Sequence, residues 1–145
     1  MKLQIQAVAC LFAATLVGQA VAQGTCPAGS ARVAGVGNAL QNLLRDKTVC
    51  AQRGNERWQE YHNSNGQLVD YKLGPGNAVD PSEQVGTWSA TNGDAAVASY
   101  NYGAGGTYAF VVCAVPTVAN ATSYTFIGPS TITGATLRAG QTSCP

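Results

Sequence analysis

The sequence predicts an all-β protein in which a single antiparallel meander closes into a small barrel or sandwich, preceded by one short helix. Asn-Gly pairs at 65–66 and 92–93 and the Gly-rich stretch 103–106 mark three hairpin connections. The segments between them are rich in Val, Thr and Tyr, which suit half-buried strands. A meander of this length with one apolar face is expected to close or to split into two sheets, because closure removes exposed strand edges.

The first 22 residues are predicted to be a secretory signal peptide. Lys2 precedes an apolar run, and Ala20-Val21-Ala22 provides the small residues that signal peptidase requires. A membrane anchor is the alternative, but three glutamines within the run and the lack of a second hydrophobic segment favour cleavage. We therefore expect residues 23–145 to form one exported domain that is extracellular, on the cell surface or in a periplasm.

The elements of this domain can be predicted in chain order. Leucines at 40, 43 and 44 have helical spacing and predict a short helix within residues 38–47. Two prolines in the stretch 73–84 predict a long loop between the first and second hairpins. Seven or eight strands are expected, at 47–52, 56–62, 67–73, 85–91, 95–102, 107–115, 123–127 and 134–139.

The charge of the expected mature chain excludes two classes of partner. The whole sequence has eight Lys and Arg against seven Asp and Glu, so removal of Lys2 leaves a net charge of zero. Long-range attraction to nucleic acid or to an anionic membrane surface is therefore not expected, and no basic run concentrates phosphate contacts.

The cysteines predict two disulfide bonds. Cys10 leaves with the signal peptide, and Cys26, Cys50, Cys113 and Cys144 remain in an oxidising compartment. Their spacing does not choose among three possible pairings. We expect Cys26 to pair with Cys144, joining the two chain ends, and Cys50 with Cys113. No two cysteines have metal-ligand spacing and the chain has one histidine, so neither a metal nor another cofactor is predicted.

The hairpin around Asn65-Gly66 places a carboxylate and the histidine on one strand face. Side chains alternate along a strand, so Trp58, Glu60 and His62 point the same way. A two-residue turn would set Val69 and Tyr71 opposite them, whereas a three-residue turn would set Leu68, Asp70 and Lys72 there. We expect the two-residue turn and an inward, apolar face.

A buried carboxylate and imidazole need partners. Burial of an unpaired charge is costly, so Glu60 and His62 should pair with each other, with Tyr71, with another strand or with a ligand. An internal hydrogen-bond network without further purpose is the alternative. The candidate ligand-binding residues are Trp58, Glu60, His62 and Tyr71.

The opposite face of the same strand carries candidate surface contacts. Arg57 and Tyr61 are expected to project from the polar side, where they could meet a surface, a glycan or a protein. Asn120 begins an Asn-Ala-Thr glycosylation motif, which matters if the host glycosylates exported proteins.

Signals of catalysis are few. The sequence contains no Gly-x-Ser-x-Gly elbow, Gly-rich phosphate loop or His-Glu-x-x-His motif. A hydrolase that uses Glu60 and His62 is kept as an alternative, and the main prediction is a protein that is not an enzyme.

Several motifs resemble a group of small secreted bacterial proteins. These motifs are "KTVCA", "RWQEYHNSNGQLVDYK", "VDPS" and "VGTWS" followed by "ASYNYG", and they cover about half of the expected mature chain. Some proteins of this pattern are surface-attachment proteins. The meander and Gly86-Thr87-Trp88 also resemble lipocalin-type barrels, although in lipocalins the Gly-x-Trp stands near the chain start. The resemblance implies a compact, secreted, lipocalin-like β-domain that binds something.

The sequence therefore predicts an exported binding protein. A surface-attachment or adhesion module is the favoured interpretation, with a surface, glycan or protein partner and no membrane span. The first alternative is a ligand carrier, or an inhibitor of an extracellular enzyme, that uses a barrel mouth around Trp58, Glu60 and His62 or the loop 74–84. The second alternative is the hydrolase.

Overall fold

A computed structural model describes residues 24–71 and 82–145 of the chain. The predicted signal peptide and residues 72–81 of the predicted loop lie outside the described residues. Residues 82–84, expected in that loop, instead begin a strand. The elements are β1 (Ala31–Arg32), α1 (Ala39–Leu44), β2 (Lys47–Arg53), β3 (Glu56–His62), β4 (Gln67–Tyr71), β5 (Ser82–Ala90), β6 (Ala98–Asn101), β7 (Thr107–Val115), β8 (Ser123–Ile127) and β9 (Thr131–Ala139).

Strands β2 to β9 form a closed antiparallel barrel of eight strands. Each strand pairs with the next along the chain, and β9 pairs with β2 to close the ring. The prediction of an all-β meander is confirmed, and a barrel rather than a sandwich is formed. The short strand β1 lies against the second half of β7. In the described part of the chain, no helix is long and apolar enough to cross a membrane.

Helix α1 covers one end of the barrel. Leu40 and Leu44 are fully buried in the main apolar core, and the helix contacts β2 and β5. The connections β2–β3, β6–β7 and β8–β9 lie at the other end, which we refer to as the mouth. The helix therefore occupies the end of the barrel opposite the mouth.

The hairpin β3–β4 has a three-residue connection, so the expected two-residue turn is wrong. Glu60 pairs with Asp70 and His62 with Leu68, which excludes the expected cross-strand positions of Val69 and Tyr71. The backbone N–H of Gly66 donates to the carbonyl of Asn63 at 2.9 Å, and Gly66 has a φ of 87°. A turn followed by a glycine in the left-handed region is the usual form of a three-residue hairpin.

Two disulfides are present, but the expected pairing is wrong. The bonds are Cys26–Cys113 and Cys50–Cys144. Strand β1 pairs beside Cys113, and this brings the segment before β1 onto β7. The segment after β9 runs back along β2 and β3, where the backbone N–H of Cys144 donates to the side-chain oxygen of Gln59 at 2.8 Å. The two chain ends are thus attached to different strands instead of to each other.

Candidate ligand-binding pocket at the barrel mouth

A cavity of about 520 Å³ lies at the mouth, on the opposite side of the barrel interior from α1. Its walls come from the inward faces of several strands and from the β8–β9 turn. The lining residues are Ala51, Arg57, Trp58, Glu60, Tyr102, Tyr108, Phe110, Ser130 and Ile132.

Strand alternation and one tight turn position the aromatic wall. Trp58 and Glu60 are two residues apart on β3 and share its inward face. Tyr102 and Tyr108 flank the turn between β6 and β7, with ring centroids 5.9 Å apart. The sharp reversal of the chain uses Gly106 at a φ of 98°, a conformation that side chains other than glycine rarely adopt.

The base of the pocket is an aromatic cluster that continues into the core. The ring of Trp58 lies edge-on to those of Phe110 and Phe126, at centroid distances of 5.8 Å and 6.0 Å. Tyr100 stacks on Tyr102 at 6.5 Å and packs against Trp58 at 6.1 Å. Edge-to-face contacts of this kind stabilise a fixed ring arrangement, so the base of the pocket is preorganised.

Glu60 places a carboxyl group in this apolar surrounding. Its side chain is 5 % exposed, and one carboxyl oxygen accepts a hydrogen bond of 2.7 Å from the hydroxyl of Tyr102. The pKa of Glu60 is raised from 4.5 to about 7, mainly by burial and also by the charge of Asp70, while interactions with Tyr102 and Trp58 lower it. The carboxyl group can therefore gain or lose a proton near neutral pH.

His62 lies behind Glu60, away from the cavity. Its Nδ1 is 3.1 Å from the backbone carbonyl oxygen of Glu60, and its Nε2 is 3.0 Å from the hydroxyl of Tyr100. A carbonyl oxygen can only accept, so Nδ1 carries the proton and the hydroxyl of Tyr100 donates to Nε2. Burial lowers the pKa of His62 from 6.5 to about 4, although the carbonyls of Glu60 and Lys47 oppose this change. Both ring nitrogens are thus occupied within the core.

The predicted inward residues are only partly brought together. Trp58 and Glu60 line the cavity, as the alternation of β3 suggested. His62 is buried beside them, but it contacts the backbone of Glu60 and not the carboxylate. Tyr71 ends β4, and its side chain lies outside the described residues.

The two residues predicted as surface contacts, Arg57 and Tyr61, lie in different surroundings on β3. Arg57 is exposed and lines the rim of the cavity. Tyr61 is partly exposed on the outer wall, where its hydroxyl donates to the carboxylate of Asp46 at 3.1 Å. Gln59, which lies between them, is buried under the segment that carries Cys144.

Sequence reasoning missed the residues that come from the far wall. Tyr102 and Tyr108 lie next to the Gly-rich turn, and that position was the signal that could have found them. Phe110 and Ile132 occupy inward-facing positions on their own strands, but they reach the site only because the barrel closes.

The described residues do not form a metal centre. Within residues 24–71 and 82–145, no group of three or more His, Cys, Asp and Glu side chains could hold a metal ion. The pocket instead combines an aromatic surface with one buried carboxyl group and one exposed guanidinium group.

Fold and pocket together define a small up-and-down β-barrel with an aromatic-lined cavity at its mouth. No family model matches this chain, and no curated protein and no solved structure is significantly similar to it.

Proposed function

We propose that the protein binds a small organic ligand in the mouth of the barrel, as a carrier or ligand-binding protein and not as an enzyme. The observation that carries this proposal is the buried carboxyl group of Glu60, which faces a cavity of about 520 Å³ with aromatic walls. Ligand sites are commonly concave and mostly apolar, with volumes of roughly 300–1,000 Å³ and a few polar groups that set orientation. A carboxyl group with a raised pKa in such a cavity is a further indicator of a functional site.

The contacts of His62 argue against the hydrolase alternative. An acid–base pair needs both groups within reach of the substrate. Glu60 meets this requirement, but the ring nitrogens of His62 are engaged by the Glu60 carbonyl and by Tyr100. The histidine therefore supports the position of the Glu60 backbone and has no free nitrogen to offer a substrate.

Surface attachment, the interpretation that the sequence favoured, has weaker support than ligand binding. Arg57 and Tyr61 are four residues apart on β3, which separates them by roughly 13 Å along the strand. Arg57 belongs to the mouth, and the hydroxyl of Tyr61 is bonded to Asp46. The proposed inhibitory loop 74–84 lies mostly outside the described residues.

We also propose that the protein works outside the cytoplasm. Two disulfides support this proposal, because such bonds persist in oxidising compartments. The predicted signal peptide would provide the export route.

Nuclear magnetic resonance screening of the oxidised mature protein tests ligand binding. We would use a panel of fragments built as triplets, in which an amine, an alcohol and a carboxylate are carried by the same aromatic or aliphatic body. Members that bind should shift the signals of Trp58 and Tyr102 and leave those of α1 unchanged.

Two tryptophan variants locate the binding. Ser130→Trp places an indole in the mouth and should abolish the shifts, because Ser130 lines the cavity. Thr117→Trp introduces the same indole at an exposed position in the β7–β8 connection, at the opposite end of the barrel, and should leave the shifts intact. If no fragment shifts the mouth signals, or if Ser130→Trp leaves the shifts in place, the proposed function is wrong.

A further inference from the structure

The contacts of Glu60 identify the chemical class of the ligand. We propose that the mouth receives a protonated organic amine carried by an aromatic or apolar body, with the ammonium group donating to the Glu60 carboxylate. This inference rests on the proposed function, since it names the ligand of the same pocket.

The charged side chains that line the cavity lie at different depths. Among the described lining residues, Glu60 and Arg57 carry charge. Glu60 is 5 % exposed and lies deep, whereas Arg57 is exposed at the rim. Water screens the exposed guanidinium group, so the negative charge acts at closer range on a ligand inside the pocket.

Among residues 24–71 and 82–145, the cross-strand and hydrogen-bonded neighbours of Glu60 provide no positive charge. Val49 on β2 is apolar, and Asp70 on β4 is acidic. Tyr100 on β6 and Tyr102, which follows this strand, keep neutral hydroxyls, because burial and the charge of Glu60 raise the pKa of both. The buried imidazole of His62 on β3 is also neutral above its lowered pKa. None of these described groups gives the ionised carboxylate a counter-charge.

A buried carboxylate is unfavourable unless a cation and hydrogen bonds compensate it. Tyr102 donates a hydrogen bond to Glu60, but a carboxylate has about four lone-pair sites and can accept more. An ammonium group would provide both further donors and a positive charge. A neutral ligand would provide donors alone, and an anion would be repelled.

The aromatic walls favour the same class of ligand. Trp58, Tyr102, Tyr108 and Phe110 surround the cavity. The faces of aromatic rings attract cations, with the strongest effect at tryptophan and in desolvated sites. The same rings provide an apolar surface for the body of the ligand, so the pocket fits an amine with an aromatic group better than a small inorganic cation.

Tryptamine, tryptophol and indole-3-propionate are a suitable triplet for the test, because they share the indole ring and differ in charge. We expect tryptamine to bind at least about 10-fold more tightly than the other two at about pH 8, as hydrogen bonds to a charged group are the stronger ones. The Glu60→Gln variant should remove this preference by weakening tryptamine binding at least about 10-fold. Asp94→Asn makes the same change of charge at an exposed position far from the mouth and should have no effect.

The pH dependence gives a second readout. The ammonium group must replace the proton on Glu60, so tryptamine binding should weaken as the pH falls. With a pKa of about 7, the ionised fraction of Glu60 drops about 30-fold between pH 8 and about pH 5.5, and tryptamine affinity should drop with it. Tryptophol affinity should change little over this range.

The outcomes separate the two proposals. If alcohols or carboxylates of the panel bind at the mouth and the amines bind no more tightly, the inference is wrong and the proposed function stands. An amine preference that survives in Glu60→Gln also overturns the inference, because the ammonium group then lies elsewhere. Absence of binding at the mouth by every member of the panel overturns the proposed function itself.

Discussion

Compared with the wild type at the same pH, the variant Glu60→Gln should be more stable at alkaline pH and about equally stable near pH 4.5. Folding raises the pKa of this carboxyl group from 4.5 to about 7, so the folded state favours the neutral acid. The stability that the neutral acid contributes is present below pH 4.5 and is lost as the pH rises through about 7. At about 1.4 kcal/mol per pKa unit, the loss reaches about 3 kcal/mol as an upper bound. Glutamine has nearly the same shape and no charge, so the variant avoids this loss.

His62 has the opposite dependence and hides the effect in the wild type. Its pKa falls from 6.5 to about 4 on folding, so its stabilising contribution is present above pH 6.5 and is lost as the pH falls through about 4. Between about pH 4.5 and pH 6.5 the two slopes have opposite signs and similar size. The wild type should therefore show a flat stability profile in this window, whereas Glu60→Gln should lose stability steadily with acid.

Urea denaturation at a series of pH values, with both disulfides intact, measures these differences. The free energy of unfolding of the variant should exceed that of the wild type by up to about 3 kcal/mol near pH 8 and by close to zero near pH 4.5. A gain that is the same at every pH would contradict the argument, since it could not come from ionisation. A variant less stable than the wild type at pH 8 would refute it directly.

Three further changes test other contacts, each by urea denaturation at neutral pH. Tyr100→Phe leaves the buried Nε2 of His62 without its donor and should cost about 1–3 kcal/mol, whereas an unchanged stability would show that this hydrogen bond is absent. Gly86→Ala places a methyl group against the backbone carbonyl of Asn101, so a loss of about 1–3 kcal/mol is expected, and full stability would contradict the close strand approach. Replacement of both Cys50 and Cys144 by alanine should lower the free energy of unfolding by about 2–5 kcal/mol. Hydrogen exchange near Gln59 should increase, because the C-terminal segment that covers this residue is released. Unchanged exchange there would contradict the covering of Gln59 by this segment.

The order of strands could be predicted because its signals are local. Turn residues and period-two alternation predicted β3, β7 and β8 with the bounds that are observed. Strand β1 has two residues, which is too short for any alternation to be visible, and it was missed. The pairing of the cysteines was wrong because it depends on where the chain ends lie on the barrel, and no local pattern carries that information.

Turn length shows how one dipeptide can be compatible with two registers. Asn65-Gly66 is compatible with a two-residue and with a three-residue connection. Side-chain hydrogen bonds favour the longer one: the oxygen of Asn63 accepts from the backbone N–H of Asn65 at 3.3 Å, and the oxygen of Asn65 accepts from that of Gln67 at 2.9 Å. The direction of Glu60 survives this error, because it follows from alternation along β3 and not from the turn.

The far wall of the pocket could not be predicted from a single sequence. Glu60 and Trp58 were found because they lie two residues apart on one strand, whereas Tyr102 and Phe110 line the same cavity from the β6–β7 connection and from β7. Their proximity depends on the closure of the barrel. The raised pKa of Glu60 likewise depends on burial by these strands, so its chemistry is a property of the tertiary structure.

Closure of the ring also limits how the protein can associate with other chains. In residues 24–71 and 82–145, every strand from β2 to β9 has a neighbour on both sides, so no strand of the ring offers a full-length edge to which another chain could add by main-chain hydrogen bonds. Strand addition is a common route to fibre growth and to peptide capture. For the described ring of strands, contacts with other molecules are therefore expected to come mainly from side chains and not from strand addition.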